Sequence, residues 1–282
     1  MNRRQFLRNA AMVSMAPGML RAREARDSVR IGLTPVFLDD QTFLNRWQAY
    51  LEETLERPVV FVQRGTYREI TELVLNGRVD FAWLCGYPFV RYRDQLEILL
   101  APVYGGRPLY RSYLIASAQD DWTNDLEDLR GRVFAYSDPL SNSGWLVTQA
   151  QLLEAGHDPD VFFRRTFFAG AHRNVVEAVA VGLAQGGAVD GYVYDALARL
   201  HPDLTAGTRV VWRSETFGFP PMVAYPEVDR ELRAEFKATL KGMTESETGQ
   251  ELLDQFYLDG FREPEDGLYA GIERLKRRVE GA

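Results

Sequence analysis

The sequence holds a single cysteine, Cys85, in 282 residues. No internal disulfide can form, and no CxxC zinc or iron–sulfur site exists. There are only three histidines, His157, His172 and His201, and none has the spacing of a metal cluster. Neither a metal nor a cofactor is expected. Positive charge is short too: 33 Lys and Arg face 40 Asp and Glu, a formal −7. That balance excludes a general nucleic-acid binder. No apolar run reaches the roughly 18 residues that cross a bilayer. No G-x-S-x-G elbow and no short internal repeat is present.

What is abundant is core-forming material. Apolar residues make up 46% of the chain and aromatics 12%, enough for one large domain or two ordinary lobes. The charge is uneven. Residues 1–27 carry six arginines against Glu24 and Asp27, a net +4, so the rest of the chain carries −11. Within that head, Arg3-Arg4-Gln5-Phe6-Leu7 resembles a twin-arginine export motif, and a weakly apolar stretch, Asn9–Leu20, follows. Residues 1–27 are therefore expected to be an export signal and the body to be a soluble periplasmic protein. Asn2 departs from the usual Ser or Thr before the arginines, and no clean A-x-A cleavage site follows.

Short β-branched runs alternate with helical spacing along the body. Val29–Thr34, Val59–Gln63, Val79–Leu84 and Ile98–Tyr104 are predicted strands, and Thr42–Leu55 and Tyr67–Asn76 predicted helices between them. A second such unit covers Tyr110–Trp212, with predicted strands at Arg132–Tyr136, Phe162–Phe168 and Thr208–Trp212. The tail from Val228 to Val279 is predicted to be almost all helix. The fold class is α/β: two lobes, each a mostly parallel sheet flanked by helices, joined by two extended segments, Tyr110–Ala116 and Phe217–Tyr225. Lobe 1 is expected over 28–112 and 224–282, and lobe 2 over 113–223. Ligands of open α/β sheets bind beyond the carboxyl ends of the strands, which places the site in the cleft.

Tyr136-Ser137-Asp138-Pro139-Leu140-Ser141-Asn142-Ser143-Gly144 is the most informative stretch. A strand ends, a proline turn follows, and Ser141, Asn142 and Ser143 open a predicted helix, Ser143–Ala155. The first N–H groups of a helix lack intrahelical partners and carry partial positive charge, so they make a ready anion site. The same residues serve equally as ordinary N-caps.

Asp138–Gly144 fits the pattern D-P-x-S-x-S-G, Val79–Leu84 a V-D-x-A-W strand, and Gly170-Ala171-His172 with Ala178-Val179-Ala180 a G-x-H…A-V-A segment. Val189-Asp190 with Asp195 fits A-D-x-x-x-x-D. With these motifs the chain resembles the periplasmic phosphate, phosphite and phosphonate-binding proteins of ABC transporters, which have the type II binding-protein fold. The resemblance implies an oxyanion ligand held by Tyr67, Tyr110, Ser141, Asn142, Ser143 and His172, with Asn142 where the family has Thr. Asp195 is then placed to accept a proton from a partly protonated oxyanion. Leu197 and Pro220 stand where aminophosphonate-holding members carry carboxylates, which argues against an ammonium-bearing ligand. Cys85, at a strand end, is either a small apolar wall or a soft ligand, as in arsenite-sensing relatives.

The expected partners are a small oxyanion and a membrane ABC permease, with a monomeric carrier between them. A sensor subunit that reports to a membrane kinase is the alternative. An enzyme of a related two-lobed fold ranks third, because no catalytic cluster is visible. Replacing Arg3 and Arg4 with lysine is expected to retain the precursor in the cytoplasm. Normal periplasmic accumulation of that variant, seen by fractionation, would remove the twin-arginine assignment.

Overall fold

The computed structural model describes residues 28–35 and 41–281. The export signal expected over residues 1–27 lies outside the described residues. Two mixed sheets organise the rest. In the first, β1 (Val29–Leu33) pairs in parallel with β2 (Val59–Gln63) and β3 (Phe81–Trp83). Between β1 and β2 runs α1 (Gln41–Leu55), whose buried Phe43, Trp47, Tyr50 and Leu51 recur at helical spacing. Between β2 and β3 runs α2 (Tyr67–Leu75), opened by a full capping box of Thr66 and Glu69.

The antiparallel share of this sheet exceeds what strand–helix alternation implies. The late strand β10 (Met222–Ala224) inserts antiparallel between β3 and β4 (Glu97–Val103). The tail, predicted almost wholly helical, also adds an edge strand, β11 (Gly260–Arg262), antiparallel to β4. Three residues are too few to carry a period-2 pattern against the helices on either side. In the second sheet β6 (Val133–Tyr136) lies parallel to β7 (Arg165–Phe168) and β8 (Gly186–Asp190). The long β5 (Leu109–Ser117) runs antiparallel to both β8 and β9 (Thr208–Gly218).

Local chemistry explains where predicted boundaries moved. The predicted strand Phe162–Phe168 starts late, because Asp158 caps a helical turn with Pro159 at its first position. The predicted helix Ser143–Ala155 is divided into a π-helical turn, Asn142–Leu146, and α4 (Val147–Glu154). The predicted strand Thr208–Trp212 continues to Gly218, because β5 offers it a partner along its whole length.

The chain crosses between the sheets twice, from β4 to β5 and from β9 to β10. Phe219 N donates to Pro108 O across the two crossings (2.9 Å). α9 (Ala270–Glu280) spans both lobes. It packs on α3 (Gly86–Arg91) so closely that a Cβ on Gly86 would lie 2.5 Å from Ile272 Cδ1. On its other side Arg278 pairs with Glu154 of α4 (2.7 Å). None of the described helices is long and apolar enough to cross a membrane.

The first sheet's core is aromatic. Phe236, on α7 (Arg230–Gly242), stacks on Phe81 with ring centroids 4.0 Å apart and planes 9° apart. Trp47 is fully buried beside Phe61, Trp83 and Phe256, the last on α8 (Glu247–Phe256). Phe236→Ala deletes a fully buried ring and is expected to cost about 3–5 kcal/mol, read from urea unfolding. Trp122→Ala, at an 85% exposed side chain, is expected to stay within about 0.5 kcal/mol. A Phe236→Ala cost near the Trp122→Ala value would contradict the core assignment.

Candidate functional site

The site is built where β6 ends. Asp138 Oδ1 accepts from Leu140 N (2.7 Å) and Asp138 O from Ser141 N (2.9 Å), which closes the turn around Pro139. Ser141 then caps the next turn, its Oγ accepting from Gly144 N (2.9 Å). Leu146 N reaches back to Ser141 O (3.0 Å), five residues away, so the first turn is π-wide. Gly144 is required here. A Cβ at that position would lie 1.9 Å from Ser137 Oγ and 3.0 Å from Ser141 Oγ. Ser112 Oγ, from β5, fixes the turn by donating to Ser143 O (2.7 Å).

The first lobe brings Tyr67 and Cys85 to this turn, and β5 of the second sheet adds Tyr110. Tyr67 opens α2, and its N–H donates to Asp138 Oδ2 across the cleft (3.2 Å). Its hydroxyl lies 3.3 Å from His172 Nε2. Cys85 precedes α3, and its Sγ accepts from Asn142 N (3.3 Å). Tyr110, near the start of β5, accepts from Asn142 Nδ2 at its hydroxyl (2.9 Å).

His172 starts α5 (His172–Ala180), and its ring state follows from one contact. Asp190 N donates to His172 Nδ1 (3.1 Å), so the neutral ring carries its proton on Nε2. Burial pushes the imidazole down to about 3, so it is neutral at any physiological pH. Nε2–H therefore donates to the Tyr67 hydroxyl, whose own proton is directed onward. Asp190 itself caps α6 (Gly191–Leu200), accepting from Tyr192 N (2.9 Å) and Val193 N (3.3 Å).

Three buried polar atoms of the turn, Ser137 Oγ, Ser143 Oγ and Asn142 Oδ1, have no hydrogen-bond partner in the protein. Such groups cost about 1–3 kcal/mol each when left unmet, and native proteins hold few of them. Their clustering around one helix start is a binding signature. The polar groups beside them are neutral. Burial pushes the Cys85 thiol up to about 11 and holds the Tyr67 and Tyr110 phenols well above 10. Nearby carboxylates are raised as well. Burial lifts Asp138, against the pull of Leu140 N, Tyr67 N and Arg68. Burial and then Asp195 lift Asp190 to about 7, against the Val193 and Tyr192 amides. This arrangement can hold a tetrahedral anion by hydrogen bonds alone, with weak acceptors close by.

The structure thus brings together Tyr67, Cys85, Tyr110, Ser141, Asn142, Ser143 and His172. It does not bring Asp195 into that hydrogen-bonded cluster. Asp195 Oδ2 accepts from Tyr104 OH (2.9 Å) and Tyr113 OH (3.1 Å) in a surface hollow beside the crossings. Two phenols already satisfy that carboxylate oxygen. Sequence reasoning passed over Ser137, Asp138, Gly144 and Asp190 as working residues. Asp138 and Gly144 lay inside the D-P-x-S-x-S-G motif, which was the available signal. Nothing in the sequence marks the Asp190 amide as the group that orients His172. Among the described residues no group of three or more His, Cys, Asp or Glu is placed to hold a metal ion.

Known proteins share this architecture. The phosphate-import protein PhnD of Mycolicibacterium smegmatis is 30% identical over 181 residues, 58% of this chain. The match spans only 55% of that relative's length. PhnD1 from Prochlorococcus marinus, solved with methylphosphonate, superposes with a TM-score of 0.80 at 18% identity, covering 91% of this chain and 99% of that one. A binding protein component of an ABC phosphonate transporter from Pseudomonas aeruginosa superposes with a TM-score of 0.82 at 20% identity, covering 90% and 86%. At such identities the structural likeness establishes the type II binding-protein fold. The description "ABC transporter, phosphonate, periplasmic substrate-binding protein" matches residues 31–269, and the chain belongs to that family.

Proposed function

We propose that the protein captures a small phosphorus oxyanion in the cleft and delivers it to a membrane ABC permease. Phosphate, phosphite and a methyl-substituted phosphonate are the ligands that fit. The reading rests on the three unpartnered buried atoms at the π-wide helix start, ringed by neutral donors. One lobe takes residues 28–108 with 222–281 and the other 109–218, a few residues off the bounds expected from the sequence because β5 pairs wholly in the second sheet and β10 wholly in the first, and they close on the ligand from both sides. The chain is exported, guided by Arg3 and Arg4, and works as a monomer. It is a carrier and not an enzyme. His172, titrating near 3, is too weak a general base at neutral pH, and the thiol of Cys85 stays protonated. Leu197 is buried and Pro220 O accepts from Trp83 Nε1 (3.0 Å), so neither position offers an ammonium a carboxylate.

A second reading, an oxyanion sensor for a membrane kinase, draws on the Cys85 sulfur lying against Asn142 N. A soft ligand such as arsenite would use that sulfur; a phosphorus oxyanion leaves it as wall.

The two cradle serines separate by role. Ser143→Ala removes a hydroxyl with no partner in the protein, so methylphosphonate affinity is expected to fall about tenfold or more, with the free protein's melting temperature nearly unchanged. Ser141→Ala removes a helix cap and is expected to cost about 1 kcal/mol of stability as well. Calorimetry and thermal unfolding together check this. Unchanged affinity in Ser143→Ala would rule its hydroxyl out as a ligand contact.

For Cys85→Ser, phosphite and methylphosphonate binding is expected to persist, weakened by at most about 1–3 kcal/mol for the new hydroxyl's unmet hydrogen bond. Wild-type protein that binds arsenite but no phosphorus oxyanion, and loses arsenite on Cys85→Ser, would favour the sensor.

A further inference from the structure

Asn142 is the residue at which the cradle departs from the Ser-Thr-Ser pattern, and its two polar ends are used differently. Nδ2 donates to Tyr110 OH (2.9 Å). Oδ1 is fully buried and finds no donor in the protein. A threonine hydroxyl can turn to donate or to accept; an amide oxygen can only accept. The turn therefore places one unpaired obligate acceptor among hydroxyls that can donate: those of Ser137, Ser143, Tyr67 and Tyr110.

We infer that Asn142 makes the site select oxyanions that carry a proton, its Oδ1 accepting a hydrogen bond from the ligand's own hydroxyl. This rests on the reading that the cleft holds a phosphorus oxyanion, and it narrows the substrate class. Inorganic phosphate keeps a P–OH group in both its singly and doubly ionised forms. Methylphosphonate and phosphite keep one only as monoanions. Sulfate has none. An oxyanion without a hydroxyl sets an oxygen lone pair against Oδ1 in a buried place, where neither group can turn to water. Sites built around a hydrogen bond to a ligand group reject analogues that lack it far more strongly than sites that merely lack room.

Other titrating groups face the same turn and must be separated from this effect. They are Asp138 at the exit of β6, Asp190 at the start of α6, His172 on α5, Tyr67 on α2, Cys85 before α3 and Tyr110 on β5. Arg68 and Asp195 act from farther away. His172 stays neutral, and the phenols and thiol stay protonated, across the neutral range. Asp190 titrates near 7, so raising the pH adds negative charge there and weakens the binding of any anion. That effect falls on phosphate and methylphosphonate alike. Loss of the ligand's hydroxyl falls on methylphosphonate alone. The ratio of the two dissociation constants isolates the contribution of Asn142.

The test is calorimetry of the wild-type protein with methylphosphonate, inorganic phosphate and sulfate at about pH 6 and about pH 9, on either side of methylphosphonate's second ionisation, which lies above the roughly 6 of a phosphate monoester because carbon replaces an ester oxygen. The methylphosphonate-to-phosphate ratio of dissociation constants is expected to rise about tenfold or more over that range. Sulfate is expected to bind at least about a hundredfold more weakly than phosphate. Asn142→Thr, which restores a rotatable hydroxyl, is expected to flatten the ratio and bring sulfate within about tenfold of phosphate. Sulfate binding on a par with phosphate, or a ratio that does not move with pH, overturns the inference, since the amide would then present its NH2 group to the ligand. Either result leaves the carrier reading in place. Failure of all three anions to bind overturns both. Should Asn142→Thr not fold, the wild-type ratio still decides.

Discussion

The cleft depends on one close approach, between Gly144 and Ser137. The end of β6 and the helix that follows it fold back on each other so tightly that no side chain fits at residue 144. Ser137 N donates to Gly144 O (3.3 Å), and Gly144 N donates to Ser141 Oγ (2.9 Å). The contact propagates outward. Ser137 O accepts from Gly170 N and Tyr136 O from Ala169 N, both at 2.8 Å, which anchors the segment that carries His172. Because Ser141 takes the capping role, the Ser143 hydroxyl is released from the backbone. Divided that way, one serine holds the turn in shape and the other is free to meet a ligand.

Recognition by neutral donors has an electrostatic logic. A lysine or arginine in the cradle would bind a dianion strongly and would not distinguish sulfate from phosphate. Here the charged groups within reach are carboxylates whose own ionisation burial already opposes. A weakly charged, partly protonated ligand meets less repulsion than a dianion in such a field. The backbone of Asp190 adds a directional element. Its N–H holds His172 in the tautomer that donates from Nε2, while its carboxylate caps α6. One residue thus fixes both the proton position of the imidazole and the start of the next helix.

Much of this was legible in the sequence, and the illegible parts share a cause. The alternation of β-branched runs with helical spacing gave the two-lobed α/β class, and the D-P-x-S-x-S-G stretch located the cradle. Local periodicity reports an element and the face it buries. It does not report which strand lies beside which. For that reason β10 was not foreseen between β3 and β4, nor β11 at the edge. The roles of Ser141 and Ser143 could not be separated either, because the choice depends on the π-wide turn, which is set by Ser137 and Gly144 together. Asp195 is the case where a motif match and a spatial role part company. It sits four residues into α6, and Tyr104 and Tyr113, distant in sequence, engage its carboxylate.

Several of the contacts that join the lobes are made by the same residues that form the cradle. Tyr67 N–H, in the first turn of α2 and without an intrahelical partner, is met by the Asp138 carboxylate of the other lobe. The Tyr67 hydroxyl meets His172, and Cys85 meets Asn142 N. Away from the cleft, α9 adds Arg278 to Glu154, an exposed pair of small weight. Beside these bonds Ser137 Oγ, Ser143 Oγ and Asn142 Oδ1 are buried without partners in the protein. Each of the three costs roughly 1–3 kcal/mol while unmatched. A ligand that supplies partners to all three would remove that cost. Shape alone would not achieve this: a molecule that fills the cleft but leaves Asn142 Oδ1 without a donor would retain part of the cost.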